Sequence, residues 1–157
     1  MDSITAILTI RDNLRNNLTD AFVTAGGQTR GGSMWIFADE PNAGAQYPRV
    51  QILKVDNPSR PITIGSAYTE FEELYLTIWF QTKNGFKITV SGTEYTNNAL
   101  VEYYQGLIKT TLKAQFDTLF TAGVLGYKHI NTSKPTYDQS TQLFFGNVTI
   151  RVFYFNS

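Results

Sequence analysis

Between Phe71 and Thr82 the chain alternates. Leu74, Leu76, Ile78 and Phe80 fall on one side of a two-residue period, and Glu73, Tyr75, Thr77, Trp79 and Gln81 on the other. Such alternation fits an extended strand, which sends successive side chains to opposite faces. The first set requires a core, so another layer must cover that face. The second set is amphipathic and presents two large aromatic side chains to water or a partner. Asn84-Gly85 follows, a strong two-residue hairpin signal. A returning strand is therefore expected over Phe86–Val90, closed by Ser91-Gly92.

The remaining elements follow from spacing. Ser3 can cap a helix in which Ile4, Ile7, Leu8, Leu14, Leu18 and Phe22 recur at three- and four-residue steps. Gly26-Gly27 ends it, which predicts one helix over about 4–24. Residues 25–34 form a glycine-rich connector without the Gly-Lys-Ser/Thr of a phosphate loop. Strands are expected at Trp35–Phe37 and Tyr47–Val55, with Pro48 at a strand start where a missing donor is tolerated. The stretch 56–69 is a long loop. A second helix opens at Thr96 or Asn97, carries Leu100, Tyr104, Leu107, Ile108, Leu112, Phe116, Leu119 and Phe120, and stops at Gly123. At about 25 residues it spans roughly 37 Å, and Gly106 within it marks close packing. Short and long strands are expected over 126–131 and 141–155, separated by a polar loop at 132–140. In the last strand Val148, Ile150, Val152 and Tyr154 share one face and Asn147, Thr149, Arg151 and Phe153 the other. The order α-β-β-β-β-α-β-β predicts a single α+β domain over 1–157, a mostly antiparallel sheet with two long helices packed on one face.

Composition narrows the function. Thirteen basic and thirteen acidic residues cancel among 157, which removes the bulk electrostatic case for binding duplex DNA or an anionic membrane. The chain has no Cys, which excludes disulfides, thiolate metal sites and cysteine nucleophiles. Neither a secretory leader at Met1-Asp2-Ser3 nor an apolar run of membrane-spanning length is expected. Only 17 % of residues are charged and 14 % are aromatic, the balance found where one protein covers another. It equally suits a neutral β-rich domain with aromatics on its strands.

Catalytic patterns are weak. Glu70, Glu72 and Glu73 flank a strand entrance and read as a solvated rim, and Asp39-Glu40 as a turn. His129, the single histidine, lies near Ser133 and Asp138 in sequence, but a triad is defined by geometry, and no nucleophile elbow occurs. Lys83 and Lys87 bracket the hairpin tip, and Lys109 and Lys113 stand one turn apart without a nucleic-acid-binding signature. No catalytic, cofactor-binding or metal site is expected.

An amphipathic N-terminal helix precedes Tyr47-Pro48-Arg49-Val50-Gln51-Ile52. A loop and the alternating strand Glu73-Leu74-Tyr75-Leu76-Thr77-Ile78-Trp79-Phe80 follow. A second helix starts near Asn97-Asn98-Ala99-Leu100, and the closing strand ends Ile150-Arg151-Val152-Phe153-Tyr154-Phe155. In this order of elements and strand texture, over most of its length, the chain resembles the tail terminator (neck) proteins of long-tailed bacteriophages and related archaeal viruses. The segment Lys83–Thr96 is longer than that pattern. The resemblance implies a non-enzymatic virion protein assembled in the host cytoplasm. It implies a homo-oligomeric ring, usually a hexamer, at the head–tail junction, touching the tail-tube protein and a head-completion connector. Genomic DNA passes only through its channel, and no membrane is involved. Rings close through heterologous contacts. Tyr75 and Trp79 would anchor partners, and the loop 56–69, with Arg60, Ile62 and Ile64, and the hairpin 83–96, with Lys83, Asn84, Gly85, Phe86 and Lys87, would serve as arms. Removing 83–90 is then expected to weaken ring or tube contacts and to leave the core folded. The alternatives are a head-closure (stopper) ring, a tail-tube subunit, or a small β-rich ligand-binding module that stacks carbohydrate on Trp35, Trp79 and tyrosines.

Overall fold

The structure is a computed structural model, and the residues it describes are 1–26, 30, 34–39, 41, 45–55, 62–63 and 70–156. Helix α1 spans Ser3–Asn17 and is capped by Asp2, whose side chain accepts from the Thr5 amide; the expected cap, Ser3, is its first residue. One helix over 4–24 does not form. Leu18 is extended, and Asp20 caps a separate turn, α2 (Ala21–Thr24), by accepting from the Phe22 amide at 3.0 Å. An aspartate that offers the backbone a local partner starts a new helix more readily than it continues an old one.

The strands are β1 (Ile36–Ala38), β2 (Arg49–Val55), β3 (Ile62–Thr63), β4 (Glu70–Lys83), β5 (Lys87–Val90), β6 (Thr93–Thr96), β7 (Val124–Thr132), β8 (Thr136–Asp138) and β9 (Leu143–Asn156). The second helical region is α3 (Asn97–Ala114) and α4 (Phe116–Thr121), broken at Gln115. The expected 25-residue helix is therefore two. The fold is α+β and its main sheet mostly antiparallel. That sheet runs β1-β2-β4-β9-β7, with β3 beside the start of β4 and β8 beside the start of β9, and only β1–β2 is parallel. The expected element order is met only in part, because β3, β6 and β8 are added to it.

Register explains the core. Val50, Phe80 and Gly146 lie in one cross-strand row, Ile52, Ile78 and Val148 in the next, then Leu76 with Ile150 and Leu74 with Val152. Their apolar side chains are buried together with Ile10 and Leu14 of α1 and with Leu100, Tyr104, Ile108 and Leu112 of α3. Tyr104 stacks on Phe80 at 4.4 Å between centroids, and its hydroxyl donates to the Thr19 carbonyl. At Gly146 α3 comes close to the sheet. A Cβ there would stand 2.5 Å from Gln105 Nε2 and 2.8 Å from Val101 Cγ1. Gly106, expected to mark tight packing, has nothing within 4 Å of such a Cβ.

The hairpin differs from expectation. Both edges of β4 are already occupied near its end: Gln81 pairs with Arg49 of β2, and Lys83 with Leu143 of β9. A strand returning from Asn84-Gly85 has no edge to join. The turn instead diverts the chain, with the Phe86 amide on the Lys83 carbonyl and the Gly85 amide on Asn97 Oδ1. β5 pairs with β6 across Ser91-Gly92, whose φ values of 49° and 82° suit the tight hairpin turn. This second sheet is not a free arm. Ile88 is buried in the main core, Phe86 meets Phe22 edge-on, and Tyr95 stacks on Tyr103.

Candidate functional site

The face of the main sheet opposite the helices carries the residues the strand period left over. In register across β2, β4 and β9 stand Arg49, Gln81 and Phe145; Gln51, Trp79 and Asn147; Leu53, Thr77 and Thr149; and Val55, Tyr75 and Arg151. Most are half-buried, and Thr77, in the middle row, is buried. Neighbouring side chains in the same pleat produce this partial shielding.

At one end of the face Arg151 forms an ion pair with Glu73, and its guanidinium lies 5.8 Å from the Tyr75 ring and 4.9 Å from that of Phe153. The Glu73 carboxylate holds the Arg151 guanidinium charged, above its ordinary range. At the other end is a groove of about 360 Å³, lined by Gln51, Leu53, Trp79, Gln81, Asp138, Thr141, Leu143 and Phe145. Trp79 and Phe145 form its aromatic wall, 5.8 Å between centroids and tilted by 55°. Gln51 Nε2 donates to the Asp39 carbonyl at 3.0 Å, and Gln81 Oε1 accepts from Arg49 Nε at 2.9 Å. Arg49 also lies over Tyr47, at 4.1 Å, and donates to its hydroxyl. Both amides are thus oriented by the protein. Asp138 accepts from the Ser140 amide and from the Ser140 and Thr141 hydroxyls, which hold its carboxyl below the usual range.

The structure separates the residues that sequence proximity grouped as possible catalysts. Glu73 points to Arg151 on the open face, whereas Glu72 accepts from the Tyr154 hydroxyl at 2.6 Å, and Tyr154 lies on the helix side. His129 Nε2 meets the Thr132 hydroxyl at 2.8 Å; Ser133 accepts from the Asn147 amide instead, and Asp138 is engaged in its own turn. Among the described residues no group of three His, Asp or Glu side chains could hold a metal ion. No helix among them is long and apolar enough to cross a membrane.

The expected interface residues divide. Tyr75, Trp79 and Lys83 share the open face, with Lys83 Nζ 5.9 Å from the Tyr47 ring. Asn84 and Gly85 are exposed in the turn, Lys87 pairs with Glu94 at 3.5 Å, and Phe86 packs inward on Phe22. Arg60 and Ile64 lie outside the described residues, and Ile62 pairs in β3 with Phe71. Trp35, expected as a stacking platform, is buried against Tyr104. Sequence reading missed Leu53, Leu143, Phe145 and the two oriented glutamines. The alternation of β2 and β9 carries Gln51, Leu53, Leu143 and Phe145, but only the pairing register brings them to Trp79; Gln81 shares the strand of Trp79 and its face, and only its bond to Arg49 was hidden.

No protein-family model matches the chain, and no curated protein matches it.

Proposed function

We propose that this chain is a structural virion protein, a tail terminator whose ring caps the head-proximal end of a tail tube, stops its growth and joins it to the head-completion complex. The observation that supports this reading most is the open sheet face. It sets Trp79, Phe145, Tyr75 and Phe153 among Gln, Thr and Asn side chains, with Arg151 paired to Glu73 and Arg49 held by Gln81 and Tyr47. Aromatic-rich surfaces whose charged groups are already partnered suit a lasting protein partner. The α+β fold, with α1 and α3 packed on a mostly antiparallel sheet, supports the reading at the coarser level of fold class. Termination is steric: one side of the ring copies the end of the tube, and the other does not.

The test is assembly. Purified protein mixed with tails lacking their upper end is expected to form single rings, seen by negative stain, at that end only. Continuous tubes would indicate a tail-tube subunit, and binding to portal–connector complexes instead of tails would indicate a stopper. The groove beside Trp79 favours one other reading, a monomeric saccharide-binding module. Glycan-array binding by a chain that ignores tails would establish it and defeat the first.

A further inference from the structure

The two edges of the main sheet are built differently. At one edge β1 is only three residues long, and its Ile36 carbonyl accepts from Arg15 Nε and Nη2 at 2.9 and 2.6 Å. That cap blunts strand addition there and favours contacts made by side chains. A groove of about 300 Å³ lies beside it, between α1 and the ends of β1 and β2. Ile4, Ile7 and Leu8 form its apolar side, and Asp39 and Lys54 also line it.

At the opposite edge α4 packs on β7 and holds Phe116 and Phe120 outward, 37 % and 54 % exposed, with centroids 6.3 Å apart. Asp117 sits between them in sequence, and Lys113 precedes them at the end of α3. Asp39, Lys54, Lys113 and Asp117 form no ion pair among the described residues. One edge thus offers an apolar projection with one acid and one base, and the other an apolar hollow with one base and one acid.

We propose that Phe116 and Phe120 of one copy seat in the Ile4–Leu8 groove of a second copy, with Asp117 meeting Lys54 and Lys113 meeting Asp39. The inference rests on the ring reading and names its contact. The occupant is this chain itself because an aromatic projection with one acid and one base and an apolar hollow with one base and one acid sit at separate places on one chain, α4 against β7 and α1 against β1, even though α1 and α4 also touch. A contact between unlike surfaces leaves each copy with one of each still free, so it repeats head to tail and closes if the rotation permits.

Two variants test it, Phe120→Glu and Ile4→Glu, each at an exposed position where the core is not disturbed. Circular dichroism confirms folding and mass photometry reads assembly. Wild type is expected as closed rings and each variant alone as monomer. The two mixed in equal amounts are expected to give one-to-one dimers that grow no further, since one supplies the aromatic pair and the other the groove. Lys54→Glu is expected to weaken assembly at least tenfold, and adding Asp117→Lys to the same chain to restore it. Wild-type rings that persist unchanged in both single variants would overturn this contact and leave the ring reading standing. Variants that stay monomeric when mixed would overturn it as well. Wild type that never assembles, alone or on tail ends, would defeat the ring reading itself.

Discussion

Arg30 lies in the stretch read from sequence as a mere connector, yet it ties three parts of the fold together. Its guanidinium grips Asp20, the cap of α2, at 2.5 and 2.7 Å, and donates to the Gln46 and Pro48 carbonyls. It also lies 4.3 Å from the Phe22 ring centroid. Arg30→Met would leave the half-buried Asp20 carboxylate without its charged partner, a loss expected to cost about 1–3 kcal/mol in a denaturant titration. Two glycines give a sharper contrast. Gly146→Ala drives a methyl into Val101 and the buried Gln105, which holds the Ser133 and Asn147 carbonyls, and is expected to destabilise by about 1–3 kcal/mol. Gly106→Ala meets nothing and should stabilise α3 by roughly 0.5–1 kcal/mol, the ordinary helix-interior difference. Buried phenols set the alkaline limit. Burial, above all, pushes the Tyr104 and Tyr154 hydroxyls well up, with the Glu72 carboxylate adding to it at Tyr154. Below about pH 10 both states keep these protons. Above it the unfolded chain releases them and the folded one does not, so stability falls with pH by about 1.4 kcal/mol per unit for each tyrosine. Chemical denaturation at about pH 9 and pH 11 should show the drop, and Tyr104→Phe should make its slope shallower.

At the scale of elements the same logic reassigns the β5–β6 hairpin. With Ile88 in the core and Phe86 and Tyr95 stacked on their neighbours, removing residues 83–90 would open the fold, contrary to the expectation for an arm. Ile88→Ala alone should cost about 2–5 kcal/mol, the range for truncating a buried aliphatic side chain, measured by thermal or urea unfolding. The reason sequence reading erred here is general. Asn84-Gly85 is a true turn signal, but whether the next strand pairs backward depends on a free edge. β2 and β9, distant in sequence, had taken both. What was legible was periodic: Leu74 to Phe80 and Val148 to Tyr154 face the core as their spacing demands, and the open face is their complement. What was not legible was relational. The groove required Phe145 to meet Trp79 and Gln51 to meet Trp79 from the other side, a matter of register. The break between α3 and α4 and the cap at Asp20 are local events hidden inside continuous apolar stripes, and β8 is too short to register as a period.

For the whole molecule, the proposed contacts separate by direction: in the ring reading the sheet edges meet copies of the chain, and the open face is left for another partner. If that division holds, assembly and attachment are separable by mutation. Trp79→Ser removes the larger wall of the groove while leaving Phe116, Phe120 and Ile4 untouched. Trp79 is half-buried on the sheet face away from the described helices, so its loss should leave cooperative unfolding intact and cost less than truncating a core aromatic, about 3–5 kcal/mol. The variant is expected to form rings of wild-type mass in mass photometry yet to bind tail ends at least tenfold more weakly, a change of about 1.4 kcal/mol, when ring-capped tails are counted by negative stain. Phe120→Glu should do the reverse at the first step and fail to form rings at all. If Trp79→Ser abolished rings while Phe120→Glu preserved them, the open face would be the contact between copies, and the edges would be left to meet the tube.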